Sequence, residues 1–307
     1  MSVRIGLGIA GFPFSGPDGF WEWVDLCEDS PVDSLWLSER LVSSQPQLEP
    51  MTVFGALAGR TRRLKFGMNA TVLPLRDPLI LAKECATVDY LSNGRLLPAF
   101  GVGGEQAPEF KATGRAPSGR GAIADEMLEI MRRLWSEDNV TFEGRHFRYR
   151  DVTISPKPVQ RPLPMWIGGS SPAAIRRTAT LGTGWLAGLQ TPKQVAPVIA
   201  AIKGATAEAG RTIDEDHYGA GFPFRFGTAD DEAVQRTAAA LQRAGLGLDP
   251  SDYLAVGGAN EIFARAREYV EAGVSKFVLR PIASSDAEML AQTRRLIDEV
   301  IPEVHGW

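Results

Sequence analysis

Short β-rich runs alternate with helical patterns along this chain, and that rhythm constrains the fold more than any other feature. Residues 3–9, 33–38, 64–73 and 95–102 read as the first four strands. Residues 165–167, 184–186, 219–226 and 276–279 read as the next four. Helical patterns follow after Pro17-Asp18, over 50–60 and 78–91, and from near Pro172, Pro192, Asp230 and Asp286. Strands separated by helices cannot pair as tight hairpins and are laid down parallel. The chain has 307 residues and no linker-like stretch. Eight such units fit a closed (β/α)8 TIM barrel, α/β in class, better than an open sheet, as a single domain over 1–307.

Two stretches break the rhythm. Residues 103–121 are rich in Gly, Pro and Ala, and residues 139–164 carry a hairpin-like alternation, Thr141-Phe142-Glu143-Gly144-Arg145-His146-Phe147, before four prolines. Both read as loops inserted around the helix after strand four, an insertion region of about 103–163. Insertions at the carboxyl end of barrel strands build or cover an active site.

Composition narrows the classes. Hydrophobic residues make up 44% and charged residues 23%, the balance of a globular protein rather than a disordered one. A net charge of −4 without a basic cluster argues against nucleic acid. No apolar run reaches the ~18 residues of a membrane span, and the amino terminus lacks a secretory pattern. Cys27 and Cys85 stand alone in helical segments, so neither a disulfide framework nor a zinc cluster is implied. The expectation is a cytoplasmic protein without a metal.

Several motifs need weighing. Gly6-Leu7-Gly8-Ile9-Ala10-Gly11 spells a dinucleotide fingerprint, but that motif needs a helix opening on its last glycine. Here a loop, Phe12-Pro13-Phe14-Ser15-Gly16-Pro17, follows. Glycines giving room inside a narrow barrel is the preferred reading. Gly101-Val102-Gly103-Gly104, leaving strand four, would let a ligand approach the backbone. Gly168-Gly169-Ser170-Ser171-Pro172 follows a short buried strand and opens a helix. Such a turn suits a phosphate, or is a plain cap by Ser171. His146, His217 and His305 lie in different segments with no ligand spacing. Glu39 and Arg40 end strand two, where barrel chemistry is placed, with a surface ion pair as the alternative. Trp36, Phe12, Phe14 and the aromatic run at 222–226 could line an apolar pocket or simply fill the core.

Longer patterns carry a resemblance. Residues 64–78, Leu-Lys-Phe-Gly-Met-Asn-Ala-Thr-Val-Leu-Pro-Leu-Arg-Asp-Pro, are followed by Leu81-Ala82-Lys83-Glu84 and Asp89-Tyr90-Leu91-Ser92-Asn93-Gly94-Arg95. With Phe100 to Gly104, the hairpin at 142–147 and the segments from Pro164 and Gly182, they resemble the bacterial luciferase-like monooxygenase family over nearly the whole chain. The resemblance implies a barrel that binds reduced FMN or the deazaflavin coenzyme F420. It also implies a non-proline cis peptide behind the flavin ring, which by residue match is Asn69-Ala70. Gly168, Gly169, Ser170 and Ser171 would take the cofactor phosphate, and Gly103 would lie beside the cofactor. Some members place a His where this chain has Arg40, which leaves the acid or base role of Glu39 and Arg40 open.

The implied chemistry divides between two branches. A deazaflavin member shuttles a hydride to or from a small organic substrate and needs no oxygen. An FMN member uses oxygen and is fed reduced flavin by a separate reductase. The run Leu96-Leu97-Pro98-Ala99-Phe100-Gly101 is similar to deazaflavin-dependent members, which favours hydride transfer. A cofactor-free binding barrel is the remaining alternative. A homo-oligomer is the expected assembly.

Overall fold

Eight parallel strand positions surround a narrow interior in the computed structural model, which describes residues 3–243 and 249–307. The strands are β1 (Arg4–Ile9), β2 (Ser34–Leu37), β3 (Lys65–Met68), β4 (Thr71–Val72), β5 (Leu96–Leu97) and β6 (Ala99–Gly101). After the hairpin β7 (Val140–Glu143) and β8 (Arg148–Val152) come β9 (Trp166–Gly168), β10 (Gly184–Leu186), β11 (Tyr218–Ala220), β12 (Pro223–Phe226), β13 (Ala255–Gly257) and β14 (Lys276–Pro281). Pairing runs β4-β6-β9-β10-β11-β14-β1-β2-β3-β5, all parallel. β3 and β4 are one strand interrupted at Asn69-Ala70, and β5 and β6 are one strand interrupted at Pro98. The two ends of the order are therefore the same pair of strands, and the sheet curls back on itself.

The helices start where the sequence supplies caps. α1 (Pro17–Glu28) and α2 (Pro50–Arg60) both open on proline, and the Glu49 carboxylate accepts from the Met51 and Thr52 amides at the head of α2. In α3 (Pro78–Ser92) Asp77 plays that part, and Asn93 ends the helix at φ 54°. A capping side chain satisfies amides that have no partner within the helix. The loop after strand four holds a short helix, α4 (Pro108–Ala112), before α5 (Arg120–Ser136). α6 (Pro172–Leu181), α7 (Pro192–Glu208), α8 (Glu232–Arg243), α9 (Pro250–Tyr253), α10 (Ala259–Glu271), α11 (Asp286–Glu299) and α12 (Ile301–Val304) follow.

The barrel interior is built around two indoles. Trp36 and Trp166 meet edge to face with centroids 6.1 Å apart, packed with Ala99, Leu186 and Val278. Rings this large leave no room for side chains opposite them. A Cβ on Gly67 would lie 2.7 Å from the Trp36 ring, one on Gly184 2.8 Å from the Trp166 ring, and one on Gly8 2.6 Å from Val278. The glycines of β1 therefore serve barrel packing, and no helix opens at Gly11.

Three expectations need correction. Residues 103–121 are not wholly irregular, since α4 lies within them. The second stretch does form the β7–β8 hairpin, but it does not cover the carboxyl ends of the strands. Gln160 bonds Asp89 and the Leu96 carbonyl, and Lys83 bonds the Ser155 carbonyl. These contacts hold the stretch at the amino end of strand four, away from the end where barrel sites are built. Between strands seven and eight the chain adds α9, β13 and α10, where the sequence reading placed a single helix.

Candidate active site

The carboxyl ends of the strands enclose a cavity of about 400 Å³. Ala10 enters it after β1, Ser38, Glu39 and Arg40 after β2, Asn69 from the break in strand three, and Gly103 after β6. Glu109 of α4, Leu189 beyond β10 and Arg280 of β14 complete the charged and apolar lining relevant here. Glu39, Arg40, Asn69 and Gly103 are thus brought together from three strands.

The peptide bond between Asn69 and Ala70 is cis. It separates β3 from β4, and the Asn69 amide still bonds the Leu37 carbonyl at 2.8 Å. Ala70 then points at backbone without side chains. Its Cβ lies 3.8 Å from where Gly101 would carry one and 3.7 Å from the equivalent point on Gly168. Gly103 has φ 70°, and a Cβ there would come 2.9 Å from Val72. Ala70, Gly101 and Gly168 thus meet through small groups, and Gly103 keeps clear of Val72.

Glu39 is committed elsewhere. Its side chain is 1% exposed, one oxygen accepts from the Val72 amide at 2.6 Å, and the other accepts from Arg76 Nε at 3.0 Å and from its terminal nitrogen. Arg76 also holds Glu49 at 2.7 Å. Burial lowers the Arg76 pKa, but the two carboxylates outweigh it and keep the guanidinium charged. Burial likewise raises the Glu49 pKa, and the bonds from Arg76, Thr52 and Met51 more than offset it. Glu39 therefore ties strand two to the strand just past the cis peptide.

Glu109 is the opposite case. Its side chain is 5% exposed and lines the cavity, yet neither carboxylate oxygen has a hydrogen-bond donor among the described residues. Arg40 approaches at 3.6 Å, with its own side chain 55% exposed. A buried carboxylate without donors is costly unless something else completes it. Proton exchange with a ligand is chemistry such a group can perform. Its position in an aperiodic Gly/Pro-rich loop gave no sequence signal beyond the acid in Pro108-Glu109-Phe110.

The Gly168-Gly169-Ser170-Ser171 turn lies at the end of β9, outside the lining of this cavity. The Ser171 hydroxyl accepts from the Ala174 amide at 3.2 Å, so it caps α6. Gly169 sits at φ 103°, and its carbonyl accepts from the Trp185 indole at 2.8 Å. Arg176 is exposed, whereas Arg177 is buried against Asp125 at 2.5 Å.

The histidines and aromatics fall outside the cavity. His217 bonds the Thr183 carbonyl through Nδ1 at 2.8 Å, and with the exposed Asp214 and Asp216 it forms a cluster at the start of β11, on the opposite face. His305 Nε2 accepts from the Ile5 amide at 3.1 Å. Phe14, Phe222, Phe224 and Phe226 are core. Phe12 lines a second, neighbouring cavity.

A family model described as "luciferase-like monooxygenase" matches residues 13–253. Among curated proteins, the chain is 27% identical to an F420-dependent glucose-6-phosphate dehydrogenase of Amycolatopsis mediterranei, over 65% of this chain and 62% of that one. It is 34% identical to an FMNH(2)-dependent dimethylsulfone monooxygenase of Pseudomonas putida, over 45% of this chain and 39% of that one. The matches span only about 60% of the length of the first curated relatives. A solved F420-dependent secondary alcohol dehydrogenase, in complex with an F420-acetone adduct, superposes with a TM-score of 0.84. It shares 22% identity, with 99% of each chain covered, and establishes the barrel fold.

Proposed function

The chain belongs to the luciferase-like monooxygenase family, whose matched relatives are F420- and FMN-dependent enzymes, and from that premise we propose that it exchanges a hydride between coenzyme F420 and a small organic substrate. The observation that carries this reading is Glu109, a residue lining the cavity whose two buried carboxylate oxygens lack donors among the described residues. Moving a hydride from an alcohol carbon obliges the hydroxyl to release a proton, and a base must stand within hydrogen-bond reach. Glu39 cannot serve, because both its oxygens are occupied.

The residues fit a flat aromatic cofactor. Asn69 and Ala70 would back the ring, with Gly103 leaving space at its edge. The amino end of α6, with Gly168, Gly169, Ser170 and Ser171, would hold the phosphate through amides and the helix dipole. When bound, the deazaflavin supplies a ring carbon that takes up or releases hydride without oxygen. Glu109 accepts the substrate proton, and Arg40 at 3.6 Å stabilises the carboxylate and links it to solvent. Glu39 and Arg76 hold the wall behind the ring in place.

A second reading is an FMN-dependent monooxygenase supplied by a flavin reductase, favoured by the 34% identity to the dimethylsulfone enzyme. The test mixes the protein with oxidised F420 and short secondary alcohols under argon, with Glu109→Gln alongside. Fading of the coenzyme's visible absorption is expected, slowed about 10²–10⁴-fold in the variant. No fading, with oxygen uptake once reduced FMN is supplied, would overturn the hydride reading in favour of the second.

A further inference from the structure

A second cavity of about 480 Å³ adjoins the first, and the two share Ala10, Leu189 and Arg280. Its walls are mostly apolar, with Ile9, Phe12, Leu241, Ile282 and Met289 among them beside Gln45 and Thr237. Among the described residues Arg280 is its one charged lining residue, shared by the two cavities. From this juxtaposition we propose that the second cavity takes the body of the substrate, and that Arg280 binds an anionic head group on it. The substrate class is thus an apolar molecule bearing a carboxylate or comparable anion.

Two arginines on adjacent strands differ in how they are held. Arg225, on β12, is saturated: it holds Asp231 at 2.6 Å, Glu288 at 3.3 Å and the Ile282 carbonyl at 2.9 Å. Arg280, on the adjacent β14, makes no ion pair among the described residues. Its side chain has one acceptor there, the neutral phenol of Tyr253, at 3.3 Å from Nη1. Arg280 is half-buried, and its stem passes over Gly8, where a Cβ would lie 3.7 Å from its Cγ. A guanidinium stays charged and presents five donors in a fork that matches a carboxylate. Beyond the bond to Tyr253, those donors have no protein partner among the described residues, and the side chain lines both cavities. An apolar pocket with a few convergent polar groups is the usual form of a small-molecule site. Glu109 lines the first cavity alone, so the reacting carbon would sit between an acid-base group on one side and the anchored anion on the other.

This assignment deepens the proposed hydride transfer and rests on it for the word substrate. The pocket itself is testable without turnover. Calorimetric titration with octanoate and with octanol compares two probes of one body and different heads. Octanoate is expected to bind at least tenfold more tightly than octanol. Arg280→Met should erase that preference and leave F420 and FMN affinities unchanged, and Arg280→Lys should retain part of it. Ala240→Trp, which places a large ring at a lining residue of this cavity, should remove binding of both probes, and it serves should Arg280→Met fail to fold. Equal binding of the two probes by the unaltered protein overturns the proposal, as does binding of neither. So does an Arg280→Met variant that keeps the preference or that loses cofactor instead, since Arg280 would then belong to the cofactor. Failure here with intact F420 binding removes the substrate class alone. Success here with no F420 binding removes the hydride reading and leaves the anion pocket.

Discussion

Replacing Glu39 by alanine should act on stability first, because that carboxylate joins two strands at the site. The substitution deletes the acceptor of the Val72 amide at 2.6 Å and the main partner of Arg76, whose side chain is 16% exposed. Breaking a buried ion pair costs about 3–5 kcal/mol. Glu49 stays on Arg76 at 2.7 Å, which places the cost at the lower end, about 3 kcal/mol. The orphaned Val72 amide adds about 1 kcal/mol. A loss of about 4 kcal/mol is a large share of the roughly 5–15 kcal/mol that holds a domain together. With an unfolding entropy of about 2.1 cal/mol/K per residue over 307 residues, the melting temperature should fall by about 6 °C. Urea unfolding followed by tryptophan fluorescence measures the loss, and a cycle with Arg76→Ala isolates the pair. Coupling of about 2 kcal/mol or more is expected. A loss below about 1 kcal/mol, or additivity within about 0.5 kcal/mol, would refute the positioning role.

Other consequences are as specific. Gly67→Ala should cost about 1–3 kcal/mol by overpacking, because the new methyl would sit 2.7 Å from the Trp36 ring, and calorimetry would show it as a lowered melting point. Ser171→Ala should cost about 1 kcal/mol through the lost α6 cap and weaken cofactor binding if the phosphate lies there, whereas unchanged affinity would detach the phosphate from this turn. Burial, with Arg4 and Lys276 nearby, depresses the His305 pKa to about 4. The unfolded chain then binds a proton that the folded one does not, so stability falls as pH drops from about 6.5 towards 4, and His305→Gln should flatten that limb of a pH-stability curve.

Much of the architecture was legible because local signals agreed with it. Pro50, Pro78, Pro172 and Pro192 each mark the first residue of a helix, since proline's missing amide costs nothing there. α10 also carries a sequence signal, since Ile262, Ala266 and Tyr269 are its buried face at helical spacing. The cis bond at Asn69-Ala70 came through resemblance, supported by an asparagine where a strand former was due. Glu109 was not legible, because its significance is the absence of donors around it, which only the folded chain reveals. Arg280 had a signal that went unused, a lone charge directly after the apolar run Phe277-Val278-Leu279, at the barrel end where sites are built. The ion pair of Glu39 with Arg76 was not legible, because position in the chain cannot tell a free carboxylate from one already held.

The most direct test of the central claim is equilibrium titration of the purified protein with oxidised F420 and with FMN side by side, repeated on Glu109→Gln. Hydride exchange through the deazaflavin requires F420 to bind at least tenfold more tightly than FMN, and Glu109→Gln to keep that affinity, because Glu109 is assigned to the substrate proton. FMN binding as tightly as F420, or more so, would contradict the claim and leave the oxygen-dependent reading in its place.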